Sequence, residues 1–332
     1  MKILVLGGTQ FLSRAVVESL QKRGHQPTLL HRGKTDPSLF LELEHLHCDR
    51  NFPLEGMANR CFDYVLDISG QTPLQVSRSL EIPCRGYLFI STIAVYDWSV
   101  SDLPINEESP TVPWIEEPHQ HDLGGMAYPL LKFSCEQMIR NHKPHQHCIL
   151  RSGLLAGPGD TSDRFSYWVT RSRQGGQILV PTACGTANPG GDEVQVLDAR
   201  DLADWVAAWV ENPFYGTYNA VGATTRLADV IELCLALSPK ISEICWVDGY
   251  WLSEQGIDHW TQLPLYLPPE IPLHQIDCAR ALERGLVTRP LRDTILDVAA
   301  WRESSCHPLA AGLEPQRERD LLHLWNQQFA EQ

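Results

Sequence analysis

The chain begins MKILVLGGTQFLSRAVVESLQKRGH, and this stretch constrains the fold more than any other. KILVL (2–6) is short and apolar throughout, as a strand buried on both faces must be. The period then changes. Phe11, Leu12, Ala15, Val16 and Leu20 fall on one face of a helix over 11–23, and Gly24 follows as a C-terminal glycine. A buried strand that passes through a glycine turn into an amphipathic helix leads into a parallel sheet covered by helices, with right-handed crossovers.

The next 130 residues repeat the alternation. QPTLLH (26–31), EHLHC (44–48), DYVLDIS (63–69), GYLFIST (86–92) and HCILRS (147–152) read as strands, and 127–141 as a helix. EVQVLDARDLADWVAAWV (193–210) reads as a seventh strand and a helix, and further helices are expected at 227–238, 277–285 and 315–330. The predicted fold class is α/β, a doubly wound parallel-sheet Rossmann fold with a smaller C-terminal substrate-binding domain. Residues 1–152 plus 193–223 form the dinucleotide-binding domain, and 153–192 plus 224–332 the substrate-binding or lid domain. Ligands are expected at the carboxyl ends of the strands.

In a Rossmann turn the first glycine permits the tight turn, the second lets backbone approach the pyrophosphate, and the third lets helix pack on strand. Gly7 keeps the first place. Gln10 and Ser13 stand where the other two are expected. Gly8 and Thr9 are small, and the helix start still presents N–H groups around Gln10, Phe11 and Leu12 to an anion. The second strand ends LLHRGKT. His31 occupies the place where NAD-preferring enzymes carry an acidic residue for the ribose hydroxyls, and Arg32 and Lys34 follow it. A cationic pair suits a 2′-phosphate, so NADP(H) is the expected cofactor, with NAD(H) the alternative.

MAYPLLKFSCEQ (126–137) places Tyr128 and Lys132 four apart, one turn of a helix. A free tyrosine ionises near 10, and a neighbouring ammonium lowers that value. Such a pair exchanges a proton with a hydroxyl or carbonyl oxygen. Ser91 and Thr92 leave the carboxyl end of a central strand, where a hydroxyl can donate to a substrate carbonyl. Pro129 fits the first turn, so the helix is expected to begin at 127–129 with Tyr128 at its mouth.

Together GGTQFLSRAVV, LHRGKT, CDRNFPLE, FISTIAVYDW, YPLLK, LRSGLLAGPGD and VQVLDARDLADW resemble the extended short-chain dehydrogenase/reductases, and within them the NAD-dependent epimerase/dehydratase branch. The nearest likeness is to bacterial reductase-type members with a GGTxFxG turn. That group lacks the second glycine, as here, but keeps the third, where this chain has Ser13. The resemblance implies Thr92, Tyr128 and Lys132 as the catalytic set, with Lys132 also on the nicotinamide ribose. It implies Asp49 near the adenine, and Ser69 and Gly70 along the cofactor. It also implies dimerisation through the Tyr–Lys helix. The reaction expected is hydride transfer to or from a carbonyl or hydroxyl carbon of a small molecule. The alternatives are a nucleotide-sugar epimerase or dehydratase with retained NAD, and a non-catalytic nucleotide sensor or RNA binder like the chloroplast stem-loop binding proteins.

Composition narrows this further. A net charge of −14, from 27 basic and 41 acidic residues, opposes a role on nucleic acid or anionic lipid. Ten cysteines, scattered without C-x-x-C spacing, read as reduced thiols of a cytoplasmic protein. The apolar start is too short for a signal sequence, and no run approaches the roughly 18 apolar residues of a membrane span. The histidines cluster as His45/His47, His119/His121 and His142/His145/His147, with no further ligand set accompanying them in sequence, so no metal is expected. No G-x-S-x-G elbow is present. Asp160, Asp163, Arg164 and Trp168 stand equally as substrate contacts and as packing residues.

Overall fold

The computed structural model describes residues 1–36, 38–99, 103–115, 127–183, 193–267, 275–305 and 307–329. In chain order the elements are β1 (Ile3–Leu6), α1 (Phe11–Lys22), β2 (Thr28–His31), β3 (His45–His47), β4 (Phe62–Asp67), α2 (Pro73–Leu80), β5 (Cys84–Thr92), α3 (Ala127–His142), β6 (His147–Ser152) and β7 (Leu154–Ala156). There follow α4 (Arg164–Ser172), β8 (Gly176–Thr182), β9 (Glu193–Asp198), α5 (Ala199–Glu211), β10 (Gly216–Ala220), β11 (Thr224–Arg226) and α6 (Leu227–Ala236). The last are β12 (Ser242–Asp248), α7 (Gly249–Glu254), α8 (Ala279–Glu283), α9 (Leu291–Ser304) and α10 (Pro315–Phe329). Two compact units result. Unit 1 is Met1–Leu154, Leu197–Gly222 and Ile276–Thr288; unit 2 is Leu155–Val196, Ala223–Gln275 and Arg289–Gln332.

Unit 1 holds a seven-stranded parallel sheet in the order β10-β6-β5-β4-β1-β2-β3. From β1 the chain winds outward through β2 and β3, then returns to β4 on the other side. The order reverses between β1 and β4, and their carboxyl ends mark the crevice where such sheets take ligands. β1 is buried on both faces, as its unbroken apolar run requires. Leu4, Leu6, Val65, Val76, Tyr87 and Ile149 belong to one apolar cluster of the core.

Three expectations are corrected. The seventh strand of the sheet is β10, in register with β6 (Thr217 opposite Ile149), whereas β9 pairs antiparallel with β11 (Gln195 opposite Thr224). EVQVLD carries the stronger strand pattern, but pattern gives strand type and not partner. GTYNA is inconspicuous because its buried Asn219 is held by polar bonds, accepting from the Tyr96 hydroxyl (2.6 Å) and donating to the Asp277 carbonyl (3.0 Å). That second bond, with Asp277 N–H donating to Ile105 O (2.7 Å), ties 276–288 to unit 1 and not to the second domain. Helix α9 was not foreseen; its weak amphipathic pattern buries only Thr294, Ile295, Val298 and Ala299.

Under the strand ends lies a charged network. Glu136 of α3 is fully buried and accepts from Arg151 of β6 (2.7 Å), Arg140 (3.1 Å) and the Ser91 hydroxyl of β5 (2.5 Å). The Arg151 guanidinium stacks over the Tyr96 ring at 4.7 Å. One carboxylate thus joins α3 to β5 and β6.

Unit 2 contains the parallel pair β12-β8, and the order β11-β9-β7 forms a three-stranded sheet. Glu318 of α10 accepts from Arg171 of α4 (2.7 Å) and from Leu179 N–H of β8 (3.1 Å). Trp168 is fully buried and its indole donates to Pro264 O (2.6 Å). Asp160 accepts from Ser162, and Asp163 from Ala310 N–H (3.0 Å). These three therefore take the packing role. Trp251 and Tyr266 are also core residues. No helix among the described residues is long and apolar enough to cross a membrane. The eight described cysteines carry no disulfide.

Glu136→Ala leaves Arg151 buried without its carboxylate and is expected to lower unfolding free energy by about 3–5 kcal/mol in chemical denaturation. A loss below about 1 kcal/mol contradicts this account of the network.

Candidate functional site

Gly7 (φ +118°) and Gly8 (φ +111°) both lie in backbone that favours glycine. A Cβ on Gly8 would meet Leu29 Cδ2 at 3.2 Å. The turn therefore needs two adjacent glycines, where the sequence suggested one. Ser13 takes the third-glycine place without lifting the helix: its hydroxyl donates to Gln10 O (2.8 Å) and its Cβ packs near Gly7. Gln10 is extended and exposed, with no side-chain cap bond. Ser13 N–H and Arg14 N–H donate to Gln10 O, while among the described residues the N–H groups of Gln10, Phe11 and Leu12 find no protein acceptor. The first turn of α1 can thus accept an anion.

Beside the turn is a cavity of about 350 Å³ at the carboxyl ends of β1, β2, β3 and β4. Gly7, Thr9, Gln10, Arg32, Lys34, Asp49 and Ser69 line it, seven of the residues singled out from sequence. Phe11 and Leu12 do not line it and bear on it through their N–H groups. Asp49 sits in the turn after β3, its carboxylate accepting from Asn51 N–H (3.0 Å). Cys48, Gln71 and Gln75 also line the cavity and were not foreseen.

Arg50 was likewise missed. Its guanidinium, 8% exposed, donates to Asp67 Oδ2 (2.8 Å), Ser79 Oγ (3.0 Å) and Ser69 Oγ (2.9 Å). Tyr87 donates to the same Asp67 oxygen (2.7 Å). Burial lowers the Arg50 pKa, but Asp67, Tyr87 and Cys135 together outweigh this and the net shift is upward. Burial raises the Tyr87 phenol well above its ordinary value, with Asp67 adding to it. Ser69 passes the connection on, donating to Leu6 O (2.8 Å). Gly70 packs tightly: a Cβ would lie 2.7 Å from Asp67 Oδ2. The only signal in the sequence is a basic residue beside Asp49 and an acid late in a strand.

The side chains expected from sequence to be catalytic come from β5 and α3. Thr92 ends β5, and its hydroxyl oxygen accepts from Ala94 N–H (3.2 Å), which leaves its proton to donate. Tyr128 lies in the first turn of α3, 51% exposed, with Pro129 beside it. Lys132, one turn on, is 4% exposed. Its ammonium donates to Gly70 O (2.8 Å) and Ile90 O (2.6 Å) and lies over the Phe89 ring at 4.1 Å. Two of its three donors are thus spent on backbone. Burial pulls its pKa down from 10.5 to about 8.

His119 and His121 lie outside the described residues. His45 and His47, paired in sequence without a third partner, are joined in space by His31: His31 Nε2 and His45 Nδ1 are 2.8 Å apart. Burial, with the two neighbouring rings, lowers the His31 pKa.

No family model matches the chain. It is 34% identical over 220 residues to the Arabidopsis thaliana chloroplast stem-loop binding protein of 41 kDa b, a match over 61% of this chain that spans about half (53%) of that protein. Among solved structures it is similar to the Thermus thermophilus UDP-glucose 4-epimerase complexed with NAD (TM-score 0.66, 17% identity, 92% of this chain and 100% of that one). The Thermotoga maritima UDP-glucose 4-epimerase with UDP-glucose gives 0.65 at 16% identity, over 92% and 99%. A Bacillus cereus UDP-N-acetylglucosamine 4-epimerase gives 0.62 at 19%, over 92% and 99%. These solved structures share the fold of this chain. Its seven-stranded parallel sheet and helix layers are the expected doubly wound α/β class.

The buried Lys132 makes a pH prediction. With a folded pKa near 8 against 10.5 unfolded, the unfolded chain binds more protons between these values, so this residue's contribution to stability rises with pH there. The stability difference between wild type and Lys132→Met is expected to shift towards wild type as pH goes from 8 to 10. A flat difference contradicts a buried, depressed Lys132.

Proposed function

We propose that the chain is a dinucleotide-dependent enzyme of the epimerase/dehydratase type, which holds the adenosine half of NAD(P)(H) in the cavity of unit 1. The observation that carries this is the meeting of the unpaired N–H groups of Gln10, Phe11 and Leu12 with Arg32, Lys34 and Asp49 in one cavity. An anion at a helix start, flanked by cations and one carboxylate, matches a pyrophosphate with its ribose and adenine. Gly7 lines the cavity, and a Cβ there would crowd Ser13 and Ser69, whereas one on Gly8 would crowd Leu29. The complexes with NAD and with UDP-glucose of proteins sharing this fold support the reading.

The cofactor is NADP(H) in preference to NAD(H). β2 ends at His31 with no acid to hold two ribose hydroxyls, and Arg32 and Lys34 stand on the cavity wall for a 2′-phosphate. When bound, the nicotinamide supplies the hydride acceptor or donor. The chain does the rest. The Tyr128 hydroxyl exchanges a proton with the substrate oxygen, and the Thr92 hydroxyl donates to that oxygen as charge develops. Lys132 keeps one donor beyond its two carbonyl bonds for the nicotinamide ribose, and holds positive charge near Gly70. The substrate is a small molecule with a carbonyl or hydroxyl carbon, and a nucleotide sugar is the class the similar structures suggest.

Calorimetric titration is expected to give tighter binding for NADP+ than for NAD+. Arg32→Ala should weaken NADP+ about tenfold or more while barely changing NAD+, because one charged hydrogen bond is lost. Equal affinities for the two dinucleotides would remove the preference, and no binding of either would remove the cofactor reading. Tyr128→Phe is expected to cut turnover by about 10²–10⁴ and leave dinucleotide affinity unchanged. Full activity in that variant excludes Tyr128 as the acid/base.

The similarity to a stem-loop binding protein favours a second reading, RNA binding. The net charge of −14 weighs against it. Filter binding to a stem-loop RNA separates the two: salt-sensitive RNA binding without dinucleotide affinity would favour the second.

A further inference from the structure

β2 and β3 pair in parallel register, with His31 opposite His47 and Leu29 opposite His45. His45 and His47 are two apart and so project from one face of β3, and His31 joins that face from β2. The ring centroids lie 5.0 Å (His31–His45), 5.1 Å (His31–His47) and 6.2 Å (His45–His47) apart. One ring nitrogen from each lies within 4.8 Å of the other two. We infer that these three imidazoles form a binding site for a divalent transition-metal ion of the zinc class. This goes beyond the cofactor reading; His31 and Gly33 also line that cavity, but the zinc titration needs no dinucleotide.

Zinc takes imidazole nitrogens at about 2.0–2.1 Å, which sets tetrahedral N···N separations near ~3.4 Å. The cluster brackets that value, from 2.8 Å between His31 Nε2 and His45 Nδ1 to the 4.8 Å limit, so small ring rotations suffice. The donor set is three nitrogens with no carboxylate oxygen, which suits zinc, nickel or copper and not magnesium or calcium.

The surroundings of two rings suit ligation. His45 Nε2 donates to Phe40 O (2.9 Å), which leaves Nδ1 as the lone pair facing the cluster. Metal-bound histidines are oriented by such a bond to a carbonyl. Among the described residues nothing hydrogen-bonds to the His47 ring, and His47 is exposed, so an ion has a path in and a water has room as fourth ligand. His31 makes the demand. Gly33 N–H donates to its Nδ1 (3.0 Å), so its proton sits on Nε2 and points at His45. An ion at His31 Nε2 moves that proton to Nδ1, and Gly33 N–H loses its acceptor. The loop must then shift, and Gly33 (φ +68°) is a residue that permits it.

The test is calorimetric titration of the full chain with Zn2+. One saturable site is expected, weakened at least tenfold in His47→Ala, whose exposed side chain is not needed for folding, and in His45→Asn. Long-range 1H–15N spectra of the histidine rings should show His31 changing from the Nε2–H to the Nδ1–H form as Zn2+ is added. The inference is overturned if wild type binds no Zn2+ saturably. It is equally overturned if both variants bind as tightly as wild type, as they would if the scattered cysteines were the ligands, or if the His31 tautomer does not change.

Discussion

The Ser69 hydroxyl donates to Leu6 O and accepts from Arg50, and this junction fixes the two strand ends between which the sheet reverses direction. β1 and β4 are neighbours whose connections leave in opposite directions, so their carboxyl ends open a crevice that backbone alone would leave ragged. Arg50 closes it from behind. Its guanidinium ties the turn after β3 to Asp67 at the end of β4 and to Ser79 of α2. A buried cation of this kind is tolerated because Asp67, Ser79 and Ser69 accept from it. With the rear wall held, Gly7, Thr9 and Gln10 on one side and Arg32, Lys34 and Asp49 on the other line one cavity.

Much of this was legible in the sequence, and the parts that were not share a physical cause. The strand–turn–helix start could be read because β1 is buried on both faces and α1 on one, and each burial pattern leaves its own period. Arg32 and Lys34 could be placed because strand ends are where a doubly wound sheet gathers its ligands, and Asp49 through the family resemblance. Arg50 and Glu136 could not. Their importance lies in partners 17 and 15 positions away that only the folded sheet supplies. The histidine trio failed for the same reason: His31 meets His45 and His47 through parallel register, which no local spacing encodes. β10 was passed over because its buried polar Asn219 breaks the apolar run expected of an interior strand.

The residues proposed for the chemistry differ in kind from the cavity. Thr92 ends β5 and caps a short turn, and Tyr128 stands in the first turn of α3. Lys132 is sunk into the core, where two carbonyls and an aromatic face hold its ammonium. An ammonium so held is fixed in place, as the electrostatic role proposed for it requires. It also makes the residue structural: the lysine spans Gly70 after β4 and Ile90 within β5, tying the ends of two neighbouring strands.

The central claim is that the cavity beside the glycine turn is the adenosine half of a dinucleotide site. Its most direct test is a crystal structure of the chain soaked with ADP-ribose, which carries that half without the nicotinamide. The account predicts density with the pyrophosphate against the N–H groups of Gln10, Phe11 and Leu12, and the adenine beside Asp49. An empty cavity at saturating ligand, or density bound elsewhere, would contradict it.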